Sequence, residues 1–199
     1  MRSSFRVPAI LVLAAALTVC CASAAPITKV ERQHLVAHLE MTKSWLIDEL
    51  ANLSPAQLQF RPGPGKWSVL DVVEHLKIAE PIYWQELKDA LKAEPPNKKS
   101  AATDADILWY GIDRTERQKT EARKEPQNQI TLASGLDSFR KLHDEMLQYA
   151  RTTEDDLRSH IYASEGIDTY QWLLGISAHT QRHILQIREI KANPNFPRK

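Results

Sequence analysis

Apolar side chains recur every three or four residues along most of this chain, which is the spacing of one helix face. Four long segments show the pattern: about Thr28 to Leu53, Ser68 to Lys92, Ser134 to Arg151, and Tyr170 to Ala192. The apolar–polar alternation that is typical of a half-buried strand is nearly absent. The pattern therefore predicts an all-α chain built on four main helices.

The second and third of these helices are separated by a long connection, roughly Ala93 to Thr131, which itself carries a weaker helical pattern. Short connections force consecutive helices to run antiparallel, whereas a connection of about forty residues allows them to run parallel. We therefore predict a four-helix bundle with a long crossover between helices two and three.

Capping signals mark where the helices begin. Ser54 followed by Pro55 predicts a short helical turn ahead of the second main helix. Ser68, with Asp71 three residues later, predicts the start of that helix itself. Pro81 lies inside it and lacks an amide hydrogen, so we expect a kink there.

The N-terminal segment has the organisation of a secretion signal. A basic start is followed by an apolar run from Val7 to Val19 and by the small residues Ala22-Ser23-Ala24. The run is too short for a typical membrane span. We predict a signal peptide over residues 1–24, a single mature domain over residues 25–199, and a secreted or periplasmic location.

Cleavage of that segment would change the chemistry available to the protein. Both cysteines, Cys20 and Cys21, would leave, and with them any disulfide, thiolate catalysis or cysteine metal ligand. A lipoprotein anchored through one of them is the alternative, although the residues before them fit that signal poorly. We expect no stable membrane anchor after cleavage.

Charge is nearly balanced, with 26 basic and 25 acidic residues in the full chain, and Arg2 and Arg6 would leave with the signal. Proteins that bind nucleic acid usually carry a surplus or a stripe of basic residues. The pair Lys98-Lys99 is better interpreted as part of a solvated loop. We therefore expect no nucleic-acid partner.

The last helix carries His179 and His183, four residues apart, so both imidazoles project from one side of it. At about 100° per residue, His183 falls within the apolar face and His179 at its edge. That face comprises Trp172, Ile176, Ile187 and Ile190, and the opposite side carries Ser177, Gln181 and Arg188. Two buried neutral imidazoles side by side need either hydrogen-bond partners or a metal ion.

Two ligands are too few for a tight site, since catalytic zinc commonly has three protein ligands and a water. His75 lies on the apolar face of the second helix and is the best candidate for the third ligand. His143 flanks its own apolar face less convincingly, and His160 lies near a predicted turn. The alternative is that these are core histidines hydrogen-bonded to their neighbours.

His34 and His38 share the four-residue spacing, and they show that spacing alone is weak support for a metal site. The first helix has its core face at Leu35, Leu39, Leu46 and Leu50. His38 lies on the flank of that face and His34 well outside it, so we predict rim or surface positions. In the last helix, Thr180 replaces the glutamate of an H-E-x-x-H zinc protease, which excludes that mechanism.

The sequence identifies no general base beside the histidines. Asp71, one turn before His75, either caps the helix or orients that imidazole, and the cap is the stronger interpretation. Glu74 and Glu80 lie off the His75 face by period, although the kink at Pro81 could turn Glu80.

Three stretches taken together resemble the DinB-like superfamily. They are "LSPAQLQFRP", then "KWSVLDVVEHLKIAE" from Lys66 to Glu80, and "SAHTQRHILQI" from Ser177 to Ile187. The family's pattern is a Trp-Ser pair at the start of the second helix, a histidine within it, and an H-x-x-x-H pair in the last helix. Each motif is weak alone, but their order and spacing are fairly specific.

The resemblance implies a DinB-like four-helix bundle with a divalent metal on His75, His179 and His183, zinc or nickel foremost, then iron or manganese. Some relatives are transferases or isomerases that use low-molecular-weight thiols. We therefore expect a metal-dependent hydrolase or thiol transferase acting on a small molecule, and a homodimer. The alternative is a non-catalytic periplasmic module that binds metal or a partner.

Overall fold

The computed structural model describes residues 26–95, 99–162 and 164–198. The α-helices in these ranges are α1 (Lys29–Leu50), α2 (Pro55–Gln59), α3 (Val69–Ala90), α4 (Asp104–Ile112), α5 (Leu132–Thr152) and α6 (Thr169–Lys191). A 3-10 turn at Ala122–Lys124 precedes α5, and a short antiparallel hairpin of β1 (Ile161–Tyr162) and β2 (Ile167–Asp168) leads into α6. The predicted signal peptide lies outside the described residues. None of the described helices is long and apolar enough to cross a membrane.

Side-chain caps fix the first residue of each α-helix, as the sequence predicted for α2 and α3. The capping residues, each of which accepts from the backbone N–H three residues later, are Thr28, Ser54, Ser68, Thr103, Thr131 and Asp168. Asp71 completes the box at α3 by accepting from the Ser68 N–H at 2.6 Å, and it also forms an ion pair with Arg61. Its role as a helix cap is confirmed. The helix α3 continues through Pro81.

The four long helices form a bundle in which α1 and α3 are each flanked by α5 and α6. Along α3 and α5 the contacts advance together, because Glu80 meets His143 and, one turn on, Trp84 meets Glu145. These two helices therefore run parallel, and the long crossover through α4 makes this possible. The predicted all-α four-helix bundle, with its crossover between the second and third long helices, is confirmed.

The last helix, α6, is the centre of the fold and packs against α1, α3 and α4. The sequence pattern placed Ser177 on a side facing away from the core, and this is wrong. Ser177 is fully buried, and its hydroxyl lies 2.8 Å from both the Thr42 hydroxyl and the His38 ring on α1. A helix enclosed by three neighbours buries its small polar residues as well as its apolar ones.

Polar side chains cross the middle of the bundle between two apolar clusters. One cluster contains Leu35, Leu39, Trp84, Met146 and Leu173, and the other contains Leu46, Val72, Leu76, Phe139 and Ile184. Between them lie the residues of what we term the polar layer, all fully buried: Thr42, Glu80, His143, Ser177 and Thr180. The layer places ionisable groups next to the histidines of α6.

The helix α4 covers one side of α6 at very short range. A Cβ atom at Gly111 would lie 2.8 Å from the Ala178 carbonyl oxygen, so only glycine allows this approach. The buried Arg182 guanidinium then donates to the backbone carbonyls of Tyr110, Asp113 and Glu116. These bonds hold the middle of the crossover beside the histidines, where it forms one wall of a cleft.

Candidate metal centre

The structure brings together the three histidines that the sequence singled out. His75 comes from α3, and His179 and His183 come from successive turns of α6. The Nε2 atom of His179 lies 3.1 Å from the Nε2 atoms of both His75 and His183. All three side chains are buried, and their ligand atoms lie within 4.8 Å of one another. One face on each of two antiparallel helices is sufficient to build this cluster.

Hydrogen bonds on the far side of two rings turn their lone pairs inward. His75 Nδ1 lies 2.7 Å from the Lys124 carbonyl oxygen, and His183 Nδ1 lies 2.8 Å from the Gln186 side-chain oxygen. Because both partners accept, each Nδ1 carries the proton and each Nε2 is left with a lone pair. Lone pairs that converge on one point repel unless a proton or a metal ion lies between them.

The spacing of the nitrogens suits a metal ion. Nitrogens about 2 Å from a tetrahedral metal lie roughly 3.3 Å apart, close to the 3.1 Å between the Nε2 atoms of His179 and of each neighbour. Burial and the charge of His179 lower the pKa of His75 to about 4. Burial, followed by the charges of His179 and His75, holds the pKa of His183 well below its ordinary value. Both rings are thus neutral near pH 7, the form that binds a metal.

The His179 ring differs from the other two because its Nδ1 atom is buried without a hydrogen-bond partner among the described residues. The nearest carboxylate oxygen is Glu80 Oε1, at 3.7 Å. Glu80 is fully buried and accepts from the Thr180 hydroxyl at 2.6 Å and from His143 Nε2 at 2.9 Å. Burial would raise the pKa of Glu80, but the charge and hydrogen bond of His143 lower it to about 2. A carboxylate charge therefore lies directly behind the histidine cluster.

A second buried carboxylate, Glu74, fixes the crossover against α3. Its oxygens accept from the backbone N–H groups of Gln127, Asn128 and Gln129 at 3.0, 2.7 and 2.9 Å. Three N–H groups directed at one carboxylate make a strong, charge-assisted anchor. The crossover held in this way also carries Lys124, whose carbonyl orients His75.

Aromatic rings surround the cluster and lead into the cleft. Trp67 stacks on His183 at 17° between ring planes, and it also contacts the ring of His75. Tyr83 meets His179 edge to face with 5.3 Å between centroids, and Trp172 packs on Tyr83. The rings limit the access of water to the three imidazoles from the sides.

The three histidines line a half-open cleft of about 1180 Å³. Its walls come from α3, α6, the crossover and the β-hairpin. Seven cationic and five carboxylate side chains line it, so the walls are slightly positive before any metal ion is added. Arg117 and Lys119 lie on the crossover side, and in the described part of the chain neither forms an ion pair with a carboxylate. A small molecule can reach the histidines through this opening.

The remaining histidines do not join the cluster. His143, the weaker candidate for the third ligand, forms a hydrogen bond with Glu80 and lies outside the cluster. His34 is exposed as predicted, and His38 is half-buried, with its ring nitrogens at the Ser177 hydroxyl and the Gln181 side-chain oxygen. His160 lies just before β1.

The sequence did not assign a role to Glu80, and the structure gives the reason. The periodicity of α3 was assigned a single core face, the one that carries His75. Because α3 packs against both α5 and α6, it has two buried faces, and Glu80 lies on the second. The burial of Glu80 is visible only in the structure, and buried charges are rarely left without partners.

Comparison with known proteins gives a consistent result. The model of the DinB superfamily matches residues 34–187. The uncharacterised protein YuaE of Bacillus subtilis (strain 168) is 27% identical over 149 residues, which cover 72% of this chain and 89% of YuaE. The solved structure of YfiT from Bacillus subtilis, described as a probable metal-dependent hydrolase with an unusual four-helix bundle topology, aligns with a TM-score of 0.59. That alignment has 20% sequence identity and covers 86% of this chain and 91% of YfiT.

Proposed function

The chain belongs to the DinB superfamily, and from that membership and its histidine cluster we propose that it is a metal-dependent hydrolase acting on a small molecule. His75, His179 and His183 are the proposed ligands of one divalent cation. The resemblance to the superfamily favours zinc or nickel first, then iron or manganese, and three imidazoles suit zinc, nickel and iron. YfiT, described as a probable metal-dependent hydrolase, supports the reaction class.

The observation that carries this proposal is the convergence of three Nε2 atoms beside an open cleft. Structural zinc sites are closed by four protein ligands, whereas catalytic sites keep a position for water or substrate. Among the described residues, the three histidines form the only such group, and no fourth His, Cys, Asp or Glu belongs to it. The cleft therefore favours an enzyme over a non-catalytic module.

The chain's own residues would hold and orient both the metal and the substrate. A divalent cation on three histidines supplies Lewis-acid polarisation and lowers the pKa of bound water toward neutrality. Tyr83 and Trp172 offer an apolar wall beside His179. Arg117 and Lys119, which form no carboxylate ion pair in the described ranges, offer positive charge for an anionic group on the crossover side of the cleft. These features fit a small substrate with an apolar body and a negative end.

Thiol transfer is the second candidate reaction, because an open metal position can also activate a thiolate. The mature chain would have no cysteine, so the thiol would have to come from a small molecule bound in the cleft. Secretion or a periplasmic location, and a homodimer, stay predictions. Secretion favours hydrolysis, since low-molecular-weight thiols are kept reduced inside cells.

The test is metal analysis of the mature chain, residues 25–199, purified without a histidine tag so that no foreign ligand is added. We expect about one divalent ion per chain and turnover of anionic ester or amide substrates that is lost on treatment with a chelator and restored by the ion. Metal at full occupancy without turnover of hydrolase or thiol-transfer substrates would support the non-catalytic module. Absence of metal after reloading would overturn both functions.

A further inference from the structure

We propose that Glu80 is a positioning residue for the metal centre, which holds the His179 imidazole from behind. The inference rests on the proposed metal site and adds a residue that acts through a ligand without touching the metal. Glu80 would accept a hydrogen bond from His179 Nδ1–H and so leave Nε2 free to face His75 and His183. Two independent observations support the proposal: the hydrogen bonds that hold the Glu80 carboxylate, and the buried His179 Nδ1 atom that has no partner among the described residues.

The carboxylate is held in place from two helices. Glu80 Oε2 accepts from His143 Nε2 on α5 at 2.9 Å, and Oε1 accepts from the Thr180 hydroxyl on α6 at 2.6 Å. Glu80 and His143 are both fully buried. An ionised carboxylate accepts about four hydrogen bonds, so Oε1 retains capacity toward His179. A carboxylate fixed from two sides can fix the orientation of a third group.

The His179 ring needs such an acceptor. Its Nδ1 atom is buried without a partner among the described residues, and buried polar atoms are almost always paired. Glu80 Oε1, at 3.7 Å, is about 0.5 Å beyond hydrogen-bond range. Because the Nε2 atoms lie 3.1 Å apart, a metal ion between them would push the rings slightly outward. For His179, outward is toward Glu80.

With this bond formed, each of the three rings would be oriented by a different acceptor: a backbone carbonyl for His75, a side-chain amide for His183 and a carboxylate for His179. Only the carboxylate carries a charge. A carboxylate behind a ligating histidine fixes its tautomer and makes the nitrogen that faces the metal a stronger donor. Glu80 is therefore expected to matter more for metal affinity than either neutral acceptor.

The test is Glu80→Gln, which keeps the side-chain shape and removes the charge. Zinc affinity is measured by competition with a chromophoric chelator, and we expect it to fall about 10- to 100-fold. The matched control is Asp71→Asn, since Asp71 is also a buried carboxylate on α3 but its oxygens bond Ser68 and Arg61. The control should lose stability and keep the zinc affinity of the wild type. Equal affinity of Glu80→Gln and wild type would overturn the proposal.

Long-range ¹H–¹⁵N spectra of the histidine rings report the tautomer of each ring and the chemical shift of its N–H proton. A purely structural role of Glu80 would not change these signals. In the zinc-loaded wild type we expect His179 with its proton on Nδ1 and zinc on Nε2, and a strongly deshielded Nδ1 proton that moves upfield in Glu80→Gln. Coordination through Nδ1, or an unchanged proton shift, would contradict the proposal. Should the variant fail to fold, the wild-type spectrum decides alone.

Failure of this inference can be separated from failure of the proposed function. If the wild type binds no zinc, the proposed metal site is wrong, and the metal-free spectrum still reports the tautomer of His179. A proton on Nδ1 would then support the contact with Glu80, and a proton on Nε2 alone would overturn it. If zinc binds tightly and Glu80→Gln binds equally well, only the role of Glu80 is lost.

Discussion

Two helices of this bundle carry pairs of histidines at the same four-residue spacing, with different outcomes. His34 and His38 on α1 point to solvent and to a half-buried seam, where the His38 nitrogens meet a hydroxyl and an amide oxygen of α6. His179 and His183, on α6, meet another imidazole, His75. Spacing places two rings on one face, and the groups across the interface decide their chemistry.

Burial alone does not explain why His38 and His183 differ. Burial lowers the pKa of both His38 and His183, and at each ring the hydrogen bond to a glutamine side-chain oxygen, Gln181 or Gln186, opposes that effect. The distinction is hydrogen-bonding capacity. Both nitrogens of His38 have protein partners, whereas His183 has one partner and directs its other nitrogen at a second histidine. A ring whose bonding is already complete has no lone pair to offer.

The largest expected effect comes from removing one ring of each pair. His183→Ala leaves two imidazoles, so we expect metal affinity to fall by more than the roughly 100-fold that loss of an outer partner costs. His38→Ala also removes one imidazole, but from α1 and outside the cluster, so the metal affinity should not change. Chelator competition measures both. Comparable losses of metal affinity in the two variants would contradict the assignment of the metal site to His179 and His183.

A second test uses acid, and its sign follows from the lowered pKa values of His75 and His183. Their folded-state pKa values lie below the unfolded value near 6.5, so the unfolded chain binds more protons between about pH 6.5 and 4. Stability of the metal-free protein is full above that range and is lost as pH falls through it. From His75 alone we expect a loss of about 2 kcal/mol between roughly pH 7 and 5.

Urea unfolding of chelator-treated protein at both pH values measures this loss. The His75→Gln variant is the control, since its amide can still form hydrogen bonds but does not take up a proton, and its stability should depend less on pH. A wild-type stability that stays flat across the interval would mean that the buried rings titrate as they do in water.

The smallest expected effect lies on the α1 side. Ser177→Ala removes the hydroxyl that bonds both His38 and Thr42, which costs about 1 kcal/mol of unfolding free energy. Metal affinity should not change, because Ser177 faces away from the cluster. Thermal unfolding and chelator competition on the same sample give both values. A weaker metal site in this variant would show that the two sides of α6 are coupled.

The sequence was informative wherever a feature depended on the regular spacing of residues along one helix. The long helices and the inward facing of His75, His179 and His183 followed from periodicity, and the connection length allowed the parallel pair joined by the crossover. The resemblance to a known family added the expectation of a shared metal. Each of these depends on local spacing, which is a property of the chain itself.

Features that depend on two or three neighbours were not predictable in the same way. Glu80 and Ser177 lie off the face that periodicity selects, and they are buried because α3 and α6 pack on more than one side. The Lys124 carbonyl orients His75 from a single 3-10 turn of the crossover, which is too short to show a period. A contact made by a backbone atom cannot be predicted from the pattern of apolar and polar side chains.

The polar layer restricts how the four helices can align along the bundle axis. Apolar helices can slide past one another by a turn with little change in the area they bury. Here such a shift would move Glu80 or His143 into one of the apolar clusters without its partner, and a buried unpaired charge costs several kcal/mol. Like a single polar position in a coiled coil, the layer sets the axial register of the four helices. Replacing the polar layer with apolar residues of similar size could give a more stable bundle whose helices no longer adopt a single axial register.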